Sequence, residues 1–493
     1  MNLARKTTSG FFWTASNQFS LQLINFVVLI VLSRVLAPEA FGLIAMLQIF
    51  VAIGTSLLDG GMTSSLIRTS NADNNDYSTV FFINVASSLV IYAIIFLCAP
   101  LIAGFFNQPM LSSLTRVYAL TFIIQALVGV QTTRLVKEMN FKLQLFMQLP
   151  ATVIGAVAGI LFAYHGYGVW SLVYMNLIKT FIFMIQHWFF TNWRPAFVLD
   201  KVKLKHHFSF GYKLTLIGML NTVYLNIYNL IIGKFFSPVQ VGFFNQANTF
   251  SLLPVDMFST ALDKVTYPVF ANIQSNDTQL RSVYKRIMQQ VIYWTVPLIM
   301  FLVVVAEPLF RIVLTDKWLP AVPYFQVLCI YAIMHPLQVY NINILKVKGR
   351  SDLMLKLELV KKIVGIIGAL TIGFFGIYPL LWFKVFYAFF LFYMNTRFSG
   401  NMIGYGMKQQ VKDIYPMFLM GGAVLVCCWG FDYFFMQAFQ VNDWVRVIAD
   451  GALFFVLYLA TSYFTRVSAL VDFTEVILRH KKIATLLTRA NKI

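Results

Sequence analysis

The chain has 493 residues, of which 59% are hydrophobic and only 12% are charged, and its mean hydropathy is +0.72. A water-soluble protein carries about a quarter charged residues, so this composition excludes an assembly of soluble domains. Lysine and arginine outnumber aspartate and glutamate by 38 to 19, which in a membrane protein indicates basic loops beside an anionic inner leaflet rather than a nucleic-acid surface.

The apolar runs predict an all-α membrane protein with about fourteen transmembrane helices, since each span needs about 20 mostly apolar residues. The first run extends to about Leu36 and has no small-residue cleavage site, so it is interpreted as a span and not as a signal peptide. The predicted spans lie near residues 10–36, 40–61, 79–105, 111–133, 146–164, 167–190, 208–233, 240–262, 288–306, 322–345, 357–375, 377–396, 414–435 and 444–464.

Charge predicts the orientation of these spans. With the N-terminus in the cytoplasm, 29 of the 38 lysines and arginines fall in cytoplasmic segments, six in outer segments or span ends, and three within spans. This is a strong positive-inside bias. Both termini are therefore predicted to be cytoplasmic.

The sequence also contains an internal duplication. The segment SRVLAPEAFGLIAM, beginning at Ser33, precedes GKFFSPVQVGFFNQ by 200 residues, so that Pro38 matches Pro238 and Gly42 matches Gly242. Six spans per repeat is an even number, which predicts two six-helix lobes related by a pseudo-two-fold axis along the membrane normal. The predicted division is 1–200 and 201–400 for the lobes, with 401–493 holding two extra helices and a basic cytoplasmic tail. A substrate site is expected between the halves near the membrane midplane.

Polar residues form a stripe on one face of the first helix of each repeat. Such stripes either make hydrogen bonds between helices or line a water-filled cavity. Their occurrence in both repeats favours the cavity. The stripe residues are Thr14, Gln18, Gln22 and Asn25 in the first repeat, and Thr215, Thr222, Asn226 and Asn229 in the second.

Two lysines, Lys179 and Lys384, are predicted to lie near the midplane. Asn176 and Gln186 share a helical face with Lys179, while Tyr387 and Asn395 share one with Lys384. An ammonium group at this depth costs at least about 2.5–3.5 kcal/mol, so it normally faces a cavity or a partner. A buried lysine–carboxylate pair is the alternative, but only Asp256 is an acid predicted to be deeply buried, and one acid cannot neutralise both lysines. The pattern favours a cationic cavity that attracts an anionic substrate.

Three further residues are weaker candidates. Lys213 and Arg116 lie near span ends, where long basic side chains usually extend toward the interface. His335 is followed by Pro336 near the middle of a span, so its ring either titrates during transport or bonds a carbonyl that the proline leaves free. Asp450 follows Arg446 by four residues, which predicts an ion pair along one helix.

Motifs of enzymes are missing from the sequence. It contains no GxxxxGK[ST], HExxH or GxSxG, and its four cysteines lie in apolar runs without metal-ligand spacing. The longest predicted outer connection has only about 16 residues. We therefore expect no catalytic residue, no cofactor, no metal and no nucleic-acid partner.

Several stretches resemble bacterial polysaccharide exporters of the multidrug/oligosaccharidyl-lipid/polysaccharide (MOP) superfamily, especially the O-antigen and colanic-acid type flippases. The likeness runs from about residue 10 to 400, and the last two spans match by hydropathy alone. The stretches are WTASNQFSLQLINFVVLIVLSRVLAPEAFGLIAM near the start, LLDGG at 57–61, FFNQPML at 105–111, GYGVWSLV at 166–173, VTYPVFANIQSND at 265–277 and DKWLPAVPYF at 316–325.

The resemblance implies an inner-membrane protein that moves an undecaprenyl-pyrophosphate-linked oligosaccharide to the outer leaflet by alternating access. It also implies the two-lobed fold shared with multidrug (MATE) exporters, coupling to an ion gradient, and basic cavity residues that attract pyrophosphate or acidic sugars. Lys179 and Lys384 suit that role by depth and charge, although no family motif assigns it to them. Polysaccharide polymerases and assembly proteins are the partners implied.

Three alternatives remain open at this point. A drug/cation exporter of the same fold is disfavoured because the first span has no acidic residue. A lipid II flippase of the superfamily is compatible with a basic cavity. A membrane polymerase or ligase needs a large outer loop, and the sequence provides none.

Overall fold

The computed structural model describes residues 3–472 and 474, with side chains described from Trp13 onward except at 258 and 260–265. This part of the chain is helical and contains no strand. The helices are α1 (Leu3–Val35), α2 (Pro38–Asp59), α3 (Met62–Arg68), α4 (Asn74–Phe106), α5 (Met110–Tyr118), α6 (Leu120–Lys137), α7 (Phe141–Tyr164), α8 (Trp170–Phe190), α9 (Lys201–Phe235), α10 (Pro238–Asn272), α11 (Asp277–Val304), α12 (Ala306–Leu314), α13 (Val322–Val347), α14 (Ser351–Gly373), α15 (Ile377–Ile403), α16 (Met407–Phe431) and α17 (Asp443–Phe464). A 3₁₀ turn (Asp316–Ala321) precedes α13, and a π-helical turn (Asp432–Gln437) follows α16.

A helix covers each of the fourteen predicted spans, and the fourth span is built from two helices, α5 and α6. By length and composition, eleven helical segments of the described chain can cross a membrane. The chain is therefore a multi-pass membrane protein. The helices α8, α10 and α14 fall outside this set. The count of fourteen spans remains a prediction.

Polar residues between the helices set where several of them begin. Asp73 and Asp76 form a capping box at the start of α4, each side chain accepting from the other's backbone N–H at 2.9 Å. The Asp200 carboxylate accepts from the N–H groups of Val202 and Lys203 at the start of α9. These caps satisfy backbone donors that a helix leaves open at its first turn.

The chain forms two compact units, Met1–Asn245 and Gln246–Ile493. In the first unit α7 packs along α8 and α1, and α9 packs along α2. Small residues permit the closest approach of α7 to α8: a Cβ built on Gly155 would lie 2.7 Å from Lys179 Cβ. In the second unit α13 packs along α15, and α11 packs along α16 and α13.

The duplicated motif meets its own copy inside the first unit. A Cβ built on Gly42 would lie 1.7 Å from Pro238 O, and one built on Gly242 would lie 2.1 Å from Pro38 O. The contact is thus reciprocal: the first turns of α2 and α10 cross with their backbones touching. Only glycine at both positions leaves room for this approach, which is typical of helix crossings in lipid.

We predict that Gly42→Ala destabilises the protein by about 1–3 kcal/mol, because the added methyl group overlaps the Pro238 carbonyl. The matched control is Gly104→Ala in α4, where nothing lies within 4 Å of a built Cβ. Helix propensity alone makes alanine better than glycine by up to about 1 kcal/mol. The measurement is the melting temperature of the purified protein in detergent. A Gly42→Ala protein as stable as the control variant would contradict the close crossing.

Candidate functional site

A buried ammonium group lies at the centre of a polar cluster in the second unit. Lys384 of α15 is only 9% exposed, and its Nζ donates to Asn248 Oδ1 of α10 at 2.5 Å. The same Nζ lies 4.5 Å from the centre of the Tyr331 ring of α13. A carbonyl oxygen and the face of an aromatic ring both stabilise a cation that has left water. Three helices therefore hold this charge in place.

An acid and a histidine continue the cluster along the same helices. His335 Nδ1 of α13 lies 3.6 Å from Asp256 Oδ1 of α10, and both side chains are partly exposed. Tyr331 and His335 are four residues apart, so they share one face of α13. The sequence predicts His335 and Asp256 as separate candidates and does not predict that they pair. Their separation of 79 positions in the chain gives no spacing signal.

The residues predicted to share a helical face with Lys384 contact a different lysine, Lys361. Tyr387 Oη donates to the backbone carbonyl of Lys361, and Lys361 Nζ donates to Asn395 Oδ1 at 3.0 Å. Lys361 of α14 is 5% exposed and also pairs with Glu358 one turn before it. Lys361 has no signal of its own in the sequence, because the basic pair at 361–362 belongs with the cytoplasmic charges of the positive-inside pattern.

Lys179 lies in the first unit, nine residues after the start of α8. Its side chain is half-buried beside Gly155 of α7. Among the residues that the structure describes, no carboxylate lies within 4 Å of its ammonium group. Asn176 is also half-buried. The Thr180 hydroxyl donates to its backbone carbonyl at 2.7 Å, and this bond does not involve the Asn176 side-chain amide.

The two polar stripes differ in their surroundings. On α1, Gln18 and Asn25 are exposed and Gln22 is half-buried, while Asn17 on another face donates to Gln148 of α7 at 3.0 Å. On α9, Asn226 is half-buried and donates to the carbonyl of Thr222 at 2.9 Å. The α1 stripe is thus the more exposed of the two. That the stripes line one substrate cavity stays a prediction.

The two candidates near span ends, Arg116 and Lys213, lie close to aromatic rings. The Arg116 guanidinium lies 4.5 Å from the centre of the Phe96 ring, and its Nε donates to the Phe96 carbonyl at 3.3 Å. Lys213 is exposed on α9, 5.9 Å from the centre of the Tyr212 ring. Both contacts suit side chains that extend toward an interface. A role for either in substrate binding stays a prediction.

The predicted helical ion pair of Arg446 with Asp450 is wrong. The Arg446 guanidinium instead binds both carboxylate oxygens of Asp432 at 2.9 Å and contacts Asp443 at 3.3 Å. Asp432 lies in the π-helical turn after α16, which brings it next to α17. A bidentate contact has better geometry than a pair along one helix, and the turn that makes it possible has no sequence signature.

A Ser–His–Asp arrangement in the first unit was not predicted. The His207 ring connects Ser65 Oγ, 2.8 Å from Nδ1, to Asp76 Oδ1, 3.1 Å from Nε2. Lys203 Nζ contacts Asp76 at 3.0 Å and Asp73 at 2.5 Å, and its hydrogen bond holds the pKa of Asp73 below the usual range. Ser65 and His207 are buried, at 3% and 0% exposure. These hydrogen bonds tie α9 to α3 and α4.

Residues 31–323, more than half of the chain, match the family model described as "Polysaccharide biosynthesis protein". The lipopolysaccharide biosynthesis protein WzxC of Escherichia coli is 24% identical over 76% of this chain and 76% of its own length. The teichuronic acid biosynthesis protein TuaB of Bacillus subtilis is 24% identical over 71% and 73%. The succinoglycan biosynthesis transport protein ExoT of Rhizobium meliloti is 25% identical over 66% of each chain.

Solved structures confirm the predicted all-helical, MATE-like fold, while the pseudo-two-fold relation of the two lobes stays a prediction. The lipid II flippase MurJ in an inward closed conformation superimposes with a TM-score of 0.72 at 13% identity, over 92% of this chain and 99% of that chain. An inward-facing multidrug resistance MATE family transporter of the MOP superfamily gives a TM-score of 0.57 at 16% identity, over 80% and 95%. At these identities the likeness concerns the fold: an all-helical membrane protein of the MurJ and MATE type.

We predict that Ser65→Ala lowers the free energy of unfolding by about 1 kcal/mol, because it removes a buried hydrogen bond to His207. The control is Ser113→Ala, whose exposed hydroxyl bonds only the Met110 carbonyl one turn before it. Melting temperatures in detergent compare the two variants. Equal melting temperatures would show that the hydrogen bond does not hold α9 in place.

Proposed function

Because the chain belongs to the polysaccharide biosynthesis protein family, we propose that it flips a lipid-linked oligosaccharide across the bacterial inner membrane. The cargo is an undecaprenyl-pyrophosphate-linked repeat unit for a surface polysaccharide such as O-antigen, capsule or exopolysaccharide. Relatives in three organisms carry names of lipopolysaccharide, teichuronic acid and succinoglycan biosynthesis, and ExoT is named as a transport protein. The MOP-type fold suits movement of a substrate through the membrane and supports a role as a transporter rather than an enzyme.

The observation that carries the proposal is the pair of ammonium groups held inside apolar helices, Lys179 and Lys384. A diphosphate bearing sugars cannot enter hydrocarbon unaided, because its polar groups would lose their hydration without replacement. Ammonium groups and amides along the route replace part of that hydration. The Asn248 and Tyr331 contacts hold the Lys384 charge ready for an anion.

The proposed transport cycle is alternating access between the two sequence repeats, 1–200 and 201–400, with Gln18, Gln22, Asn25, Asn176 and Asn226 lining the route. In the second repeat the His335–Asp256 pair is the candidate for ion coupling, since its two side chains exchange protons or charge more readily than any amide. We place both termini in the cytoplasm, on the basis of the positive-inside bias. Polysaccharide polymerase and assembly proteins are the proposed partners.

Deletion of the gene in its native host tests the function directly. Loss of the surface polymer, with accumulation of complete lipid-linked repeat units facing the cytoplasm, is the expected result and identifies the cargo. Normal polymer together with altered sensitivity to cationic drugs would favour a multidrug antiporter instead. Defective peptidoglycan with normal polymer units would favour a lipid II flippase.

We predict that Lys179→Gln and Lys384→Gln each slow transport about tenfold or more, since a hydrogen bond to a charged group contributes about 1.5–3 kcal/mol. Lys384→Arg is expected to retain more activity than Lys384→Gln because it keeps the charge. The control is Lys408→Gln, an exposed lysine in the first turn of α16. Transport is measured as recovery of surface polymer in the deletion strain at matched expression. Full recovery by both glutamine variants would contradict the cationic route.

A further inference from the structure

A polar cavity of about 280 Å³ lies in the first unit where the end of α6, the start of α7 and the end of α8 meet. Its lining includes Gln131, Arg134, Glu138, Asn140 and Trp193. The predicted topology places these three helix ends at the cytoplasmic surface of the membrane. The cavity is separate from Lys179 and Lys384, and neither lysine lines it.

The Gln131 side chain brings two polar atoms without hydrogen-bond partners to the cavity lining. The side chain is only 1% exposed, and neither its Nε2 nor its Oε1 has a hydrogen-bond partner. A buried amide without partners costs about 1–3 kcal/mol for each unsatisfied group. Because the amide nitrogen and the amide oxygen both lack a partner, a ligand that satisfies Gln131 must supply an acceptor and a donor together.

Two side chains of opposite charge, Arg134 and Glu138, line the cavity together with this amide. Arg134 NH2 lies 3.4 Å from Glu138 Oε1, longer than the 2.7–2.9 Å or so of a strong charge-assisted hydrogen bond. The Glu138 side chain is 54% exposed and the Arg134 side chain 29% exposed. This loose pair leaves the guanidinium able to bind an anion and the carboxylate able to bind a cation.

The surroundings are those of a membrane interface. Phe190, which also lines the cavity, is 64% exposed. The Arg134 guanidinium lies 5.3 Å from the centre of the Tyr77 ring and 5.7 Å from that of Trp193. Aromatic rings with basic residues mark the level of lipid headgroups.

We infer that this cavity binds the zwitterionic headgroup of a phosphoethanolamine lipid. The phosphate accepts from Arg134 and from Gln131 Nε2, while the ammonium group donates to Glu138 and to Gln131 Oε1. An anionic glycerol headgroup could also place its phosphate on Arg134, but its neutral hydroxyls would leave the Glu138 carboxylate without a cation. A neutral sugar would leave both charges without a charged partner. The site is an addition to the transport route and does not depend on which substrate is flipped.

The experiment is native mass spectrometry of the full-length protein after equilibration with vesicles of equal phosphatidylethanolamine and phosphatidylglycerol. The wild type is expected to retain phosphatidylethanolamine selectively. Gln131→Leu is expected to reduce that retention about tenfold, in line with the loss of hydrogen bonds to charged groups. The same variant should melt at or above the wild-type temperature, because leucine removes two unsatisfied atoms. If Gln131 had only a structural role, its replacement would not lower lipid retention while keeping or raising the melting temperature.

Glu138→Gln tests the charge argument, since this exposed side chain has little part in packing. It should lower retention of phosphatidylethanolamine and raise that of phosphatidylglycerol. The matched control is Arg68→Gln, an arginine of the same unit that lies over the Phe210 ring and outside the cavity. Soluble glycerophosphoethanolamine should compete for the site, whereas inorganic phosphate or free glucose should not. Equal retention of both lipids by the wild type, unchanged retention in Gln131→Leu or Glu138→Gln, or displacement by glucose would overturn the inference.

Discussion

The structure depends on one constraint: the hydrocarbon interior of a bilayer offers no water to polar groups. Helices satisfy the backbone, and hydroxyl side chains follow the same rule by bonding carbonyls of their own helix, as Thr133 does with Gly129 and Thr152 with Gln148. A lysine cannot be satisfied in this way. Lys384 therefore lies where α10 and α13 bring an amide oxygen and a ring to it. The same requirement that shapes the fold selects the places where an anionic cargo can bind.

Close packing is the second determinant, because apolar helices gain little hydrophobic free energy by associating in lipid. They associate where small residues let backbones touch. Gly155 allows α8 to approach α7 and so sets the position of the Lys179 backbone. Gly42 and Gly242 do the same for the two copies of the duplicated motif. At Gly155 a close helix contact thus determines where the charge of Lys179 lies.

Hydropathy and turn residues predicted most helix positions, since a span must be long and apolar whatever it packs against. The helix α17 (Asp443–Phe464) nearly coincides with the span predicted at 444–464. The internal pairing of polar groups was not predictable. Asp256 and His335 are far apart in the chain, Lys361 resembles an ordinary cytoplasmic lysine, and Arg446 is paired through a π-helical turn without a sequence signal. These contacts depend on which helices become neighbours, and periodicity along one helix contains no such information.

The reciprocal crossing of the Pro38–Gly42 and Pro238–Gly242 turns has a consequence for the origin of the chain. In such a crossing each partner offers the same patch to the other, which is the rule for an isologous dimer. A half-length ancestor with a single copy of the motif could make this contact with a second molecule of itself. Gene duplication and fusion would then have preserved an interface that already existed. Once the halves were joined, the residues around it were free to diverge, as Arg34 and its counterpart 200 positions later, Lys234, have done.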